Sequence, residues 1–244
     1  MNNQTVQNGL SDALIKDIVA VNFRVASVFE KYGIDFCCKG NRPLGNACSE
    51  KGIDINALEG ELSPLLDNNS VGYNENYDQW ELDFLASYIV NTHHRYVANS
   101  IPEIYAHLNK LVNVHGGRHP ELAQLRSLFG DIANELTSHM QKEEKILFPA
   151  IAKLVQMKKN NEKVNGFSVS RPIEVMEYEH QGAGNILEQI RTISNNFTLP
   201  EDACGTYAVT YKELEAFELD LHKHIFLENG ILFPKAIQLE KDLM

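Results

Sequence analysis

Apolar residues recur at helical spacing through most of the chain. From Ser11 to Lys31 the stripe is Leu14, Ile15, Ile18, Val21, Val25, Val28 and Phe29, which predicts one helix stopped by Gly33. Shorter helices are expected from Leu44 to Lys51 and from Asp54 to Leu66, with Asp54 as the N-cap. Together these pieces predict a small helical domain over residues 1–67, near the lower size limit for a self-supporting core. Residues 68–77 are polar and contain Gly72, which reads as a linker.

A larger domain is expected over residues 78–244. Asp78 followed by Glu81 reads as a capping box that opens its first helix. That helix runs toward Val112 with the stripe Phe84, Tyr88, Asn91, His94, Ala98, Ile101, Tyr105 and Leu108, and Pro102 should kink it. His115 to Pro120 is a turn, with Pro120 at the first position of the second helix. The second stripe is Leu122, Leu125, Phe129, Ile132, Leu136, His139, Glu143 and Leu147. After a polar loop from Lys158 to Val169, Pro172 starts a third helix with Ile173, Met176, His180, Ala183, Leu187 and Ile190. Beyond Pro200 a fourth carries Tyr207, Leu214, Phe217, Leu221, His224, Glu228 and Ile231. No stretch has a convincing strand pattern. The fold class is all-α, and four long helices with modest loops make a four-helix bundle.

The stripes carry chemistry as well as apolar residues. His139-x-x-x-Glu143 and His224-x-x-x-Glu228 are both followed by Ile-Leu-Phe-Pro in the same register. Residues four apart share a helix face, so each repeat offers an imidazole and a carboxylate to one point. Every bundle helix has one histidine on its inward stripe: His94, His139, His180 and His224. A single histidine on an apolar face is usually a satisfied core residue. Four in phase, with two carboxylates that must be paired or metal-bound if buried, point to metal. Six ligands are too many for one tetrahedral zinc but suit two ions. Each ion takes two imidazoles, Glu143 and Glu228 bridge, and an oxo or hydroxo bridge leaves room for an exogenous ligand. Imidazole with carboxylate favours two iron ions; two zinc ions or an iron–manganese pair fit the same set.

Two further carboxylates lie close. Glu135, one turn before His139, and Glu179, beside His180, read equally as hydrogen-bond partners or access-route residues and as surface glutamates. Glu144 is expected to face away from His139, and His93 to point off the stripe. His107, His115, His119 and His222 have no phase or partner and read as surface residues.

Composition narrows the class. With 43% hydrophobic residues among 244, the chain can fill a core. A net charge of −11 disfavours a nucleic-acid partner. No apolar run is long enough to span a membrane, and the first residues lack a signal-peptide pattern, so a cytoplasmic protein is expected. The four cysteines form no CxxC pair, and only Cys37 and Cys38 are adjacent, which fits a reducing compartment.

The set His94, His139-x-x-x-Glu143, His180 and His224-x-x-x-Glu228 resembles the hemerythrin-like di-iron domain of the RIC (repair of iron centres) family, the YtfE/ScdA/DnrN-like proteins. The flanking words Asn91-Thr-His-His-Arg-Tyr, Val175-Met-x-x-Glu-His180 and Leu227-Glu-Asn-x-x-Leu-Phe-Pro234 match as well. Tyr32-Gly-Ile-Asp-Phe-Cys-Cys-Lys-Gly40 is similar to the family's N-terminal ScdA-type domain, whose vicinal cysteines a bare hemerythrin-like domain lacks. The resemblance implies a di-iron protein of the cytoplasm that restores iron–sulfur clusters damaged by nitric oxide or oxidants, by supplying iron. It implies damaged iron–sulfur proteins as clients and, in some members, a homodimer. Two rival expectations use the same centre: an enzyme that reduces nitric oxide or handles peroxide, and a hemerythrin-like module that binds or senses nitric oxide or oxygen. The thiol pair Cys37 and Cys38 argues against the last, because gas carriage needs no thiols.

Overall fold

A computed structural model of the protein describes residues 9–66 and 77–244. The expected linker lies outside them except for Tyr77. The described residues are helical, with one isolated β-bridge between Leu14 and Pro43. None of their helices is long and apolar enough to cross a membrane. They fall into two compact units.

The first unit contains the described residues up to Glu81, together with Ile225–Lys235. Its helices are α1 (Ile15–Val21), α2 (Ala26–Lys31), α3 (Leu44–Lys51) and α4 (Ile55–Leu66). The single helix expected from Ser11 to Lys31 is therefore two, separated by Asn22 and a 3₁₀ turn, Phe23–Val25. Asn22 is extended (φ −154°), and its side chain makes the break worthwhile. Oδ1 accepts from the Arg24 N–H at 3.0 Å, and Nδ2 donates to the Leu65 carbonyl at 2.6 Å. An Asx residue that satisfies backbone groups locally competes with helix continuation. Gly33 closes α2 at φ +64°, a conformation that favours glycine. The core includes Ile15, Ile18, Phe29, Phe36, Leu44 and Leu58. Phe226 joins it, its ring 5.5 Å from that of Phe23 and 6.3 Å from that of Phe36.

The second unit is Leu82–His224 with Ala236–Met244. It holds α5 (Leu82–Ile89), α6 (Arg95–His115), α7 (Glu121–Lys142), α8 (Phe148–Asn160), α9 (Ser170–Ile193), most of α10 (Gly205–Phe226) and most of α11 (Phe233–Asp242). π-helical segments join α5 to α6 (Val90–His94), α7 to α8 (Glu143–Leu147) and α10 to α11 (Leu227–Leu232). Four helical runs result, and α7 packs against α6 and α9. Phe129 meets Phe217 edge-on, with ring centroids 5.4 Å apart, and Arg191 of α9 pairs with the buried Glu218 of α10.

The expected stripes of the second, third and fourth bundle helices are buried. That of the first helix is displaced. Phe84, Asn91, Ala98 and Tyr105 are exposed, while Leu85, Ile89, His93, His94, Val97, Ile104, Leu108 and Leu111 are buried. The stripe is already one position out in α5, where Leu85 and Ile89 rather than Phe84 are buried, and within the π segment two consecutive histidines are buried. Pro102 does not interrupt α6, because it and Ala98, whose carbonyl it leaves without a helical partner, both face solvent. The capping box at Asp78 is also not the helix start. Tyr77–Gln79 form a 3₁₀ turn, α5 opens at Leu82, and Asp78 pairs with Lys235 at 2.8 Å. At the other end, Glu240 is 1% exposed and caps α9, accepting from the Val169 N–H at 3.1 Å and the Ser170 hydroxyl at 2.9 Å.

Candidate metal centre

The π segments lie where the chemistry is. His94 ends the first, Glu143 opens the second one turn after His139, and Glu228 lies in the third one turn after His224. His180 sits midway along α9. All six side chains are buried. Within the bundle unit their ligand atoms form two groups that share one carboxylate. His94, Glu143 and His224 offer atoms within 4.8 Å of one another, and so do His139, Glu143 and His180. Glu143 spans the two: Oε2 is 3.3 Å from His94 Nε2, and Oε1 is 3.4 Å from His139 Nε2. Neither oxygen has a hydrogen-bond partner among the described residues, and the side chain is fully buried. A carboxylate in that condition is costly unless a cation neutralises it. The donor set, two imidazoles on each side of one shared carboxylate, fits a pair of metal ions. Glu228 is 0% exposed on the helical run that continues from His224.

Carboxylates also orient the imidazoles. Glu144 Oε1 lies 2.8 Å from His94 Nδ1, and Glu179 Oε2 lies 2.8 Å from His139 Nδ1. Such contacts select the ring tautomer and direct Nε2 into the site. His139 Nε2 and His180 Nε2 are 3.0 Å apart, and the rings of His94 and His224 are 4.9 Å apart. Burial pushes the Glu179 carboxyl up, but hydrogen bonds from Lys142 and His139 outweigh it and hold the group below the usual carboxylate range.

Glu135 is exposed and belongs to neither group, which fits its reading as a surface glutamate. Other placements add to or differ from the sequence-based expectation. Glu144, expected to face away from His139, lies in the π segment and meets a different site histidine, His94. His93 is 1% exposed. Its Nδ1 lies 2.9 Å from Asp220 Oδ1, and its ring stacks on His224 at 5.7 Å and 11°. The single available signal was its adjacency to His94. His115 is buried, contrary to its reading as a surface residue. His107 and His119 are partly exposed and pair with Glu213, and with Glu121 and Asp202, respectively. His222 is half-buried.

In the first unit Cys37 is buried and Cys38 half-buried, with sulfurs 3.6 Å apart. Asp35 Oδ1 accepts from the backbone N–H of Cys37 (3.1 Å) and of Cys38 (2.9 Å), so both side chains belong to one tight turn. Asp35, Cys37 and Cys38 form a third group able to hold a metal ion. The neighbouring Cys38 sulfur, then burial, push the Cys37 thiol well above its usual range.

Family models match both parts of the chain. Residues 11–66 match ScdA_N, a domain of unknown function, and residues 85–236 match the hemerythrin HHE cation binding domain. The iron–sulfur cluster repair protein YtfE of Yersinia pseudotuberculosis serotype O:1b (strain IP 31758) is 36% identical over 215 residues, 88% of this chain and 92% of that protein. YtfE of Yersinia pestis (strain Pestoides F) has the same identity and coverage. Two helical units, with the histidine and carboxylate groups in the one that carries the cation-binding match, go with similarity along nearly the whole chain: the protein belongs to the hemerythrin-domain family of the YtfE iron–sulfur cluster repair proteins.

Proposed function

We propose that this protein repairs damaged iron–sulfur clusters by supplying iron from a two-metal centre. His94 and His224 hold one ion, His139 and His180 the other, and Glu143 and Glu228 bridge both. The observation that carries this reading is the buried Glu143 carboxylate, with one oxygen toward each histidine pair and no hydrogen bond to either. The relatives are named iron–sulfur cluster repair proteins, and the proposed reading takes damaged clusters as the destination of that iron. Iron here is cargo as well as ligand-bound ion, and its exchange is the chemistry it supplies. The residues' part is to hold it without excess negative charge. Four neutral imidazoles against two carboxylates bind less tightly than a carboxylate-rich cage, which suits release.

Cys37 and Cys38 complete the reading as a transient thiol site. Two adjacent sulfurs reach one ion but cannot complete its coordination, so a client must provide the rest. The reading includes damaged iron–sulfur proteins as clients, a cytoplasmic setting and a homodimer. The test is metal analysis of the purified protein, followed by transfer to an apo iron–sulfur protein. The expected results are two iron ions in the wild-type chain, loss of iron in Glu143→Ala and His224→Ala, and client reactivation that depends on that iron. Retention of both ions in both variants would sink the site assignment. A Cys37→Ser/Cys38→Ser variant should keep its bundle iron and lose repair; unchanged repair would reduce the pair to packing.

A further inference from the structure

His115 differs from those bundle histidines whose Nδ1 holds a carboxylate. His93, His94, His107, His119 and His139 each hold a carboxylate at Nδ1. His115 is 5% exposed, its Nδ1 has no hydrogen-bond partner among the described residues, and its Nε2 lies 3.2 Å from the sulfur of Cys204. The ring is held edge-on against Tyr207, with centroids 5.6 Å apart. Among the described residues the one hydrogen-bond partner of its side chain is therefore a thiol. Cys204 itself is exposed and immediately precedes α10, a 22-residue helix. Free N–H groups at a helix start stabilise an anion placed there. The backbone N–H of Tyr207 holds the thiol below its usual range; desolvation opposes this, and the N–H and hydroxyl of Thr206 add to it. An imidazole at hydrogen-bond distance, donors of a helix N-terminus and solvent access are the surroundings of a reactive cysteine.

We infer that Cys204 and His115 form a reactive thiol site, at which Cys204 exchanges with the disulfide of a small thiol. The Sγ proton passes to His115 Nε2. The thiolate attacks one sulfur of the small disulfide, a new S–S bond forms to Cys204, and the old S–S bond breaks. The departing thiolate recovers the proton from His115 and leaves as thiol, so the protein gains one mixed disulfide and one small thiol is released. Cys204 is the one cysteine between Leu82 and Met244, so its own unit offers no resolving thiol and the mixed disulfide persists until an external thiol removes it. The site is independent of the metal reading, since neither residue belongs to the ligand groups.

The test uses the full-length wild-type protein. Glutathione disulfide at neutral pH serves as the probe, and peptide mass spectrometry reads each cysteine. In parallel, the alkylation rate of the Cys204 peptide by iodoacetamide is followed against pH in wild type and His115→Gln. The expected result is a dithiothreitol-reversible mixed disulfide at Cys204 and an alkylation midpoint below that of free cysteine, about 8.5. His115→Gln should raise the midpoint and slow alkylation at neutral pH by about tenfold, with bound iron unchanged. Alkylation of wild-type Cys204 with the midpoint of free cysteine overturns the inference, and so does a midpoint unmoved by His115→Gln. A lowered midpoint without any mixed disulfide overturns the exchange step. Should the variant fail to fold, the wild-type profile and adduct decide. Loss of this chemistry leaves the repair reading intact, and loss of iron binding leaves this one intact.

Discussion

In the proposed two-metal centre Glu143 should have opposite effects in the metal-free and metal-loaded protein. Without metal it is a fully buried carboxylate with no hydrogen bond among the described residues, which penalises folding. Glu143→Gln removes the charge and keeps the shape. The metal-free variant should be more stable than metal-free wild type by about 1–3 kcal/mol, while its metal affinity falls. Denaturant melts with and without metal check both signs; a metal-free variant less stable than wild type would show that the carboxylate is satisfied by something else. At the surface, His119 lies between Asp202 (2.9 Å) and Glu121 (3.0 Å). Hydrogen bonds to Asp202 and then Glu121 raise the imidazole above its ordinary value. The His119 hydrogen bond lowers the Asp202 carboxyl. The raised histidine stabilises the fold below its unfolded value of about 6.5 and loses that effect as pH rises through the folded value. The lowered carboxylate acts above its unfolded value and fails as pH falls. His119→Gln should therefore cost stability in the window between the carboxylate and imidazole ranges and be near neutral at alkaline pH, as chemical melts across pH would show.

At the scale of elements, packing and polar ties work together. Arg191 donates to Glu218 through Nε at 3.0 Å and Nη2 at 2.6 Å, joining α9 to α10. Glu218 is 3% exposed. Arg191→Met strands a buried carboxylate and should cost about 3 kcal/mol, read as a lower urea midpoint with an unchanged slope. The π segment Leu227–Leu232 has its own constraint. A Cβ on Gly230 would stand 2.9 Å from the ring of Phe226, which is 1% exposed against Phe23 and Phe36. Gly230→Ala must displace that ring and should destabilise the first unit by about 1–3 kcal/mol. A variant as stable as wild type would mean that the aromatic cluster relaxes freely.

For the whole molecule, the proposed iron binding should link metal to fold. A ligand that binds the folded chain and not the unfolded one stabilises by mass action, about 2.7 kcal/mol at a hundred times its dissociation constant. Thermal melts should shift upward on iron loading and return on chelation. The shift should be absent in His224→Ala, and a wild-type melt indifferent to chelator would contradict a centre built from four separate helical runs.

Much of this was legible from residues alone. The stripes of α7, α9 and α10 were readable because each helix keeps one phase along its own length, so His139, His180 and His224, with Glu143 one turn beyond His139, fall among leucines and phenylalanines that must be buried. The first bundle helix was not readable in the same way. Its stripe was drawn one position out from Phe84 on, and the π segment that follows adds a residue to the turn without a marker in composition, so His93 was overlooked. The same turn chemistry hid the role of Glu144. The break at Asn22 was equally silent, because it depends on a carbonyl, that of Leu65, far along the chain. The pairing of His115 with Cys204 joins two helix ends whose closeness in sequence is nil. The sequence by itself determined the inward residues of α7, α9 and α10, since burial there follows from period and polarity. Which inward residues meet, and through which atoms, was decided only by the tertiary structure, because distance between helices is set by packing and not by phase.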